Sequence, residues 1–289
     1  MTVREGNFES NGVALHYLDW GGGGPPLILI HATGFLAALW RPTAELLARQ
    51  FRVVAIDQRG HGDSDPSPDG YRFELFASDL QRLIETLELE APIAAGHSSG
   101  GTTIVVHAAQ HPGVIRRAVL IEPILPRPDW YTNPPGDRNP NSLAEGARRR
   151  RAVWPSQDEL LESYRSRPTF QTWREDVLRL YVEEGTNARD DGQIELKCAP
   201  ETEAQFFEAV SALDLWPLLP KMECPALLLW GEESHLRSRT ERDAEEAIPS
   251  ARTVVVPETT HFLPQERPDE VARLTEMFLA GVSTELAEV

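Results

Sequence analysis

The chain has 289 residues, 41% of them apolar, and a formal net charge of −17. It can bury a substantial core, and its acidity argues against a nucleic-acid partner, because phosphate recognition wants clustered Lys and Arg. Its only cysteines, Cys198 and Cys224, stand in no metal-ligand spacing and read as buried thiols rather than a disulfide.

Residues 1–20 contain no apolar h-region and no run approaches a membrane span, so a cytoplasmic enzyme with no membrane partner is expected. A homodimer stays open. In chain order, residues 8–10 and 13–18 read as the arms of a hairpin around Asn11-Gly12, a pair that suits a two-residue turn with positive φ. Leu27-Ile28-Leu29-Ile30 and Phe51 to Ile56 are continuous apolar runs, the mark of strands buried on both faces. The first ends in His31-Ala32-Thr33-Gly34-Phe35 and the second in the polar turn Asp57 to Ser64, with a helix predicted over residues 37–49 between them. Leu80, Leu83, Ile84 and Leu87 fall at helical spacing within residues 73–87. The strand Pro92-Ile93-Ala94-Ala95 leads into Gly96-His97-Ser98-Ser99-Gly100 and a helix over residues 101–110. Val114 to Ile121 is a further strand and ends in Glu122-Pro123. Strands alternating with helices predict an α/β fold with a mostly parallel, doubly wound sheet.

From Pro126 to about Trp216 no buried strand run occurs, and capping boxes at Ser142-x-x-Glu145, Ser156-x-x-Glu159 and Thr202-x-x-Gln205 mark helix starts. The expectation is a helical cap over residues 126–216, inserted between core segments 1–125 and 217–289. Its run Arg148 to Arg151 reads as a solvated helix face, with attraction of anionic substrates as the minority alternative. The sheet resumes at Ala226 to Trp230, followed by Gly231-Glu232-Glu233-Ser234 and a capping box at Ser238-x-x-Glu241. Thr253 to Val256 is the last strand, His261-Phe262 follows it, and Pro268 opens a final amphipathic helix with Val271, Leu274, Phe278 and Leu279 on one face.

Ligands of open parallel sheets bind beyond the carboxyl ends of the strands. Ser98, Glu122, the Glu232/Glu233 pair and His261 all fall at such ends. A strand that turns sharply into a helix pushes its central residue out in a strained conformation, and small neighbours allow the close approach. Gly96 and Gly100 flank Ser98 in this way. A serine hydroxyl needs a base near neutral pH, an imidazole can be that base, and a carboxylate must orient the imidazole. The bland alternatives are a helix-start serine, a loop histidine, a cavity-wall Glu122 and an exposed Glu232/Glu233 pair.

Gly96 to Gly100, the Asp57 to Ser64 turn and the late His261 resemble the α/β-hydrolase superfamily over essentially the whole chain. The resemblance implies Ser98 as nucleophile, His261 as base and an oxyanion hole from the amides of Ser99 and Thr33. The family's usual His-Gly is His31-Ala32 here, which a backbone donor tolerates if Ala32 needs no positive φ. Ser234 stands where many members carry their acid. Glu122, at the position some haloalkane dehalogenases use, is the expected acid, with Glu233 or Glu232 as alternatives. Asp57 precedes Ser98 in the chain and is left out. Phe35, Trp40, Trp130 and Phe262 are the expected apolar pocket. The implied function is a serine hydrolase of small to medium apolar or aromatic carboxylic esters, acting through an acyl-enzyme with no cofactor or metal. Alternatives are C–C bond or lactone hydrolysis, cofactor-free perhydrolysis, or a catalytically weak ligand-binding protein on the same scaffold.

Overall fold

A computed structural model describes residues 2–126, 140–210 and 212–281. Strands β1 (Arg4–Ser10) and β2 (Val13–Gly21) form the expected hairpin, with Asn11 at φ 50° and Gly12 at φ 74°. There follow β3 (Pro26–Ile30), α1 (Arg41–Leu47), β4 (Arg52–Ile56), α2 (Phe73–Thr86), β5 (Ile93–His97), α3 (Ser99–Gln110) and β6 (Arg117–Ile121). The helix predicted from residue 37 opens instead as a 3-10 turn, Ala37–Trp40, and becomes α-helical only at Arg41–Leu47. Pro42 sits in the first turn of α1, where its missing N–H costs nothing.

Among the described residues the main sheet has eight strands in the order β1-β2-β4-β3-β5-β6-β10-β11. β10 is Ala226–Gly231 and β11 is Ala251–Val256. All pairings from β4 to β11 are parallel, and β1 and β2 add an antiparallel edge. Side chains alternate between the two faces of a strand, and both faces are dry here. Ile28, Ile30, Val54 and Ile56 pack with Leu80, Leu83, Ile104 and Val105 of α2 and α3. Leu27, Leu29, Val53 and Ala55 pack on the other side with Ala44, Leu47 and the α9 (Pro268–Ala280) residues Val271, Leu274 and Phe278. The apolar runs that identify these strands are therefore the two halves of the core read alternately.

Between β6 and β10 the chain forms α4 (Pro140–Arg148), β7 (Val153–Trp154), α5 (Gln157–Arg165), α6 (Glu175–Glu184), β8 (Thr186–Ala188), β9 (Ile194–Leu196) and α7 (Pro200–Val210). The helical expectation thus misses a small antiparallel sheet, β7-β9-β8. Strands of two or three residues carry too little pattern to be seen in sequence. The Ser156 box is real: its hydroxyl accepts the Glu159 N–H at 3.2 Å. Helix α7 begins at Pro200, so Thr202 lies inside it and pairs with the Tyr71 hydroxyl at 3.2 Å. Helices α4 and α8 (Arg237–Ala247) likewise begin before Ser142 and Ser238. Both cysteines are buried free thiols. Among the described residues no helix is long and apolar enough to cross a membrane.

Candidate active site

Ser98, Glu122 and His261 follow the carboxyl ends of β5, β6 and β11. The ladder continues one step past the strands: Ser98 N–H donates to Ile121 at 2.9 Å and Glu122 N–H to Leu229 at 2.8 Å. Ser98 then turns to φ 55° and ψ −117°, at the N-terminus of α3. A Cβ on Gly96 would lie 2.4 Å from the Gly100 carbonyl carbon, and one on Gly100 would lie 2.3 Å from the Ile30 carbonyl oxygen. Only glycines let strand and helix approach this closely.

The structure brings the three side chains together. His261 Nε2 lies 3.2 Å from Ser98 Oγ, and His261 Nδ1 lies 3.1 Å from Glu122 Oε2. Glu122 is fully buried and adopts φ 50°. Its Oε1 accepts the Gly231 N–H at 2.6 Å, and Ser234 Oγ donates to Oε2 at 2.5 Å. Glu232 and Glu233 are exposed, and Glu232 Oε2 accepts the Glu258 N–H at 3.2 Å instead. The carboxylate at the imidazole is therefore that of Glu122. Asp57 lies elsewhere, holding the Ala37 amide at 2.6 Å and His16 Nδ1 at 2.8 Å.

Thr33 lies in the loop after β3. The Ala32 carbonyl takes the His31 Nδ1–H at 2.8 Å and the Phe35 N–H at 3.1 Å. In a trans peptide the N–H points opposite to the carbonyl, so these two donors turn the Thr33 N–H to the other side of the loop. His31 Nε2 accepts the Gln58 N–H at 3.0 Å, which fixes the tautomer. Ala32 is not among the positive-φ residues; the left-handed position is Gly34, at φ 80°. That satisfies the condition for replacing the usual glycine. The Ser99 N–H belongs to the first turn of α3, where amides have no partner inside their own helix.

Neutral imidazoles surround the site. Burial pulls His31 below its usual value and His61 down to about 3. Burial, then the neighbouring His261, hold His97 well below its usual value. His97 Nε2 donates to the His261 carbonyl at 2.8 Å, tying the loop after β11 to the turn at Ser98. Glu266 steadies the same loop by accepting the Thr260 amide at 2.8 Å and its hydroxyl at 2.6 Å.

Of the expected pocket residues, Phe35 and Phe262 lie at the site. Phe262 stands 5.4 Å from the His261 ring and 6.2 Å from Phe35. Trp173 completes this aromatic wall, 5.3 Å from Phe35 and 5.6 Å from Phe262. Trp40, expected in the pocket, is instead 2% exposed and belongs to the core layer of Ala44, Leu47 and Val271, between the sheet, α1 and the last helix. Trp130 lies outside the described residues. The run Arg148 to Arg151 is solvated except at Arg150, but only Arg148 lies in the helix and the charges are engaged. Arg148 pairs with Glu201 and Glu208, Arg149 with Glu145, the largely buried Arg150 with Glu203, and Arg151 lies over the Trp154 ring.

A profile of the alpha/beta hydrolase family matches residues 27–274. The chain belongs to this family. Among its similar relatives is the 2-(acetamidomethylene)succinate hydrolase of Mesorhizobium japonicum, 28% identical over 86% of this chain and 85% of the relative. The N-formylmaleamate deformylase of Pseudomonas putida is 26% identical over 91% of each chain. The solved structure of an E-2-(acetamidomethylene)succinate hydrolase superposes with a TM-score of 0.86 at 23% identity, covering 96% of this chain and all of the other. At that identity it supports the fold, which is the α/β-hydrolase fold with a mostly parallel sheet. In this α/β hydrolase the carboxylate beside His261 follows β6, and Ser234 follows β10.

Proposed function

We propose that this α/β hydrolase cleaves carboxylic esters bearing small to medium apolar or aromatic groups, through an acyl-enzyme on Ser98. The observation that carries the proposal is the unbroken chain of contacts, 3.2 Å from Ser98 to His261 and 3.1 Å from His261 to Glu122. Ser98 Oγ attacks the carbonyl carbon while its proton passes to His261 Nε2. Glu122 holds the imidazole by its Nδ1–H and stabilises the imidazolium that forms. The tetrahedral oxyanion takes the amides of Thr33 and Ser99, each worth about 3 kcal/mol in the barrier. The imidazolium returns the proton to the leaving alcohol, and water repeats the sequence on the acyl-enzyme. Residues 126–216 are the cap of this site, and Phe35, Phe262 and Trp173 supply its apolar wall.

The test is hydrolysis of p-nitrophenyl acetate and p-nitrophenyl benzoate. Ser98→Ala should abolish turnover, and Glu122→Gln should lower kcat by about 10³–10⁴-fold with little change in KM. Full turnover in Ser98→Ala would refute the proposal. Two relatives named for acetamido and formyl-amide substrates favour a second reading, N-acyl hydrolysis with the same residues. Comparing an ester with its matched N-acetyl amide separates the two.

A further inference from the structure

A glutamate has one more torsion to fix than an aspartate, so a buried Glu122 must be held at several points to present one oxygen steadily. Oε1 has the Gly231 amide at 2.6 Å. Oε2 is shared, because the Ser234 hydroxyl donates to it at 2.5 Å and the imidazole N–H at 3.1 Å. The Leu236 N–H donates to Ser234 Oγ at 3.2 Å. That bond occupies the acceptor side of the hydroxyl and leaves its single proton for the carboxylate.

We propose that Ser234 is a positioning residue of the active site: its hydroxyl anchors the carboxylate oxygen that receives the His261 N–H, and so sets both where that oxygen stands and how strongly it holds the imidazole. The inference rests on the reading of Ser98, His261 and Glu122 as the reacting set. Its two consequences have opposite signs. Without the hydroxyl the glutamate keeps one fixed anchor, the imidazole is oriented less well, and kcat falls. Without the hydroxyl, too, Oε2 no longer shares its charge with a second donor. It binds the imidazolium more tightly, and the ring is protonated at higher pH. A serine that only filled space would leave the second quantity unchanged.

The experiment compares wild type with Ser234→Ala and Ser234→Thr in the full chain, by two readouts. One is kcat and kcat/KM for p-nitrophenyl acetate against pH. The other is the NMR titration of isotope-labelled histidine, with the His261 signal assigned by its loss in His261→Gln. Ser234→Ala should lower kcat by about 10-fold, consistent with one lost charge-assisted hydrogen bond, and leave KM within about 3-fold. The His261 midpoint and the acid limb of kcat/KM should both move up by roughly half a unit or more. Ser234→Thr, which keeps the hydroxyl, should restore both. Wild-type kcat, or a lower kcat with an unmoved His261 midpoint, would overturn the role of Ser234. A displaced midpoint in a protein that turns over no ester would keep that role and reject the esterase reading instead. Ser234→Cys, of similar volume but a weak donor, carries the same expectation if the alanine variant does not fold.

Discussion

Ser98 is held at φ 55° and ψ −117°, a conformation that costs a non-glycine residue about 1–3 kcal/mol. The surrounding glycines, the Ile121 carbonyl and the start of α3 leave it no other. This strain is legible in sequence, because Gly-x-Ser-x-Gly after an apolar strand states it outright. His261 is legible from its place after the last strand; Glu122 is legible as one of the carboxylates at strand ends, and the family resemblance favours it over the Glu232/Glu233 pair. The part played by Ser234 is not legible, since a loop serine acquires meaning only from the oxygen 2.5 Å away. Trp40 misleads for a related reason: nearness to a loop in sequence says nothing of the face to which a 3-10 turn directs the ring. The His31 ring supports a further expectation at this scale. Its Nδ1–H turns the Ala32–Thr33 peptide, so His31→Phe, which keeps the ring volume, should lower kcat by about 10²-fold through a misaimed oxyanion donor. Steady-state kinetics on the folded variant checks this, and unchanged kcat would refute the proposed role of the Thr33 amide as an oxyanion donor.

At the scale of elements, the site is built from neighbouring strand ends. β5, β6, β10 and β11 lie side by side, so residues 98, 122, 234 and 261 converge although up to 163 positions separate them in the chain. The core strands are readable because burial on both faces demands unbroken apolar runs. The strands β7, β8 and β9 are not, because two or three residues give no period. The inserted segment grips both loops of the site. Tyr181 donates to the Gly34 carbonyl at 2.8 Å and Thr172 to Glu266 at 2.5 Å. The adjacency of β6 and β10 makes the acid transferable. Ser234 Oγ lies beside Glu122 Oε2, which is 3.1 Å from the ring nitrogen. An aspartate at 234 would place an oxygen in the space that Glu122 vacates. Glu122→Gly combined with Ser234→Asp should recover at least about 10-fold of the activity lost in Glu122→Gly alone. A double variant no better than the single one would contradict the shared geometry.

For the whole molecule, the buried imidazoles set the response to acid. Burial pulls His61 and His107 down to about 3, and His31 and His97 move the same way. As pH falls through about 6.5 the unfolded chain takes up protons at these rings before the folded chain does, so stability falls as pH drops. His16 acts oppositely. Burial lowers it, but the Asp57 hydrogen bond and charge carry it above its usual value. Its contribution is complete below about pH 6.5 and is lost as pH rises through the folded value. Asp57, which burial raises and His16 carries below its usual value, loses its contribution only in stronger acid. His61 and His107 alone cost about 2 kcal/mol each near pH 5. The melting temperature should therefore fall by at least about 5 °C between about pH 7 and pH 5. Equal melting curves at the two values would mean that these rings are protonated in the folded chain.

If Ser98 is the residue that becomes acylated, rapid quenching followed by peptide mass spectrometry will find the acyl group on it. Glu122→Gln mixed with p-nitrophenyl acetate and quenched in acid should carry an acetyl group on the peptide containing Ser98, with a matching burst of nitrophenol, and Ser98→Ala should carry none. Ester turnover with that peptide unmodified, or with the acetyl group on another residue, would mean that Ser98 is not the nucleophile.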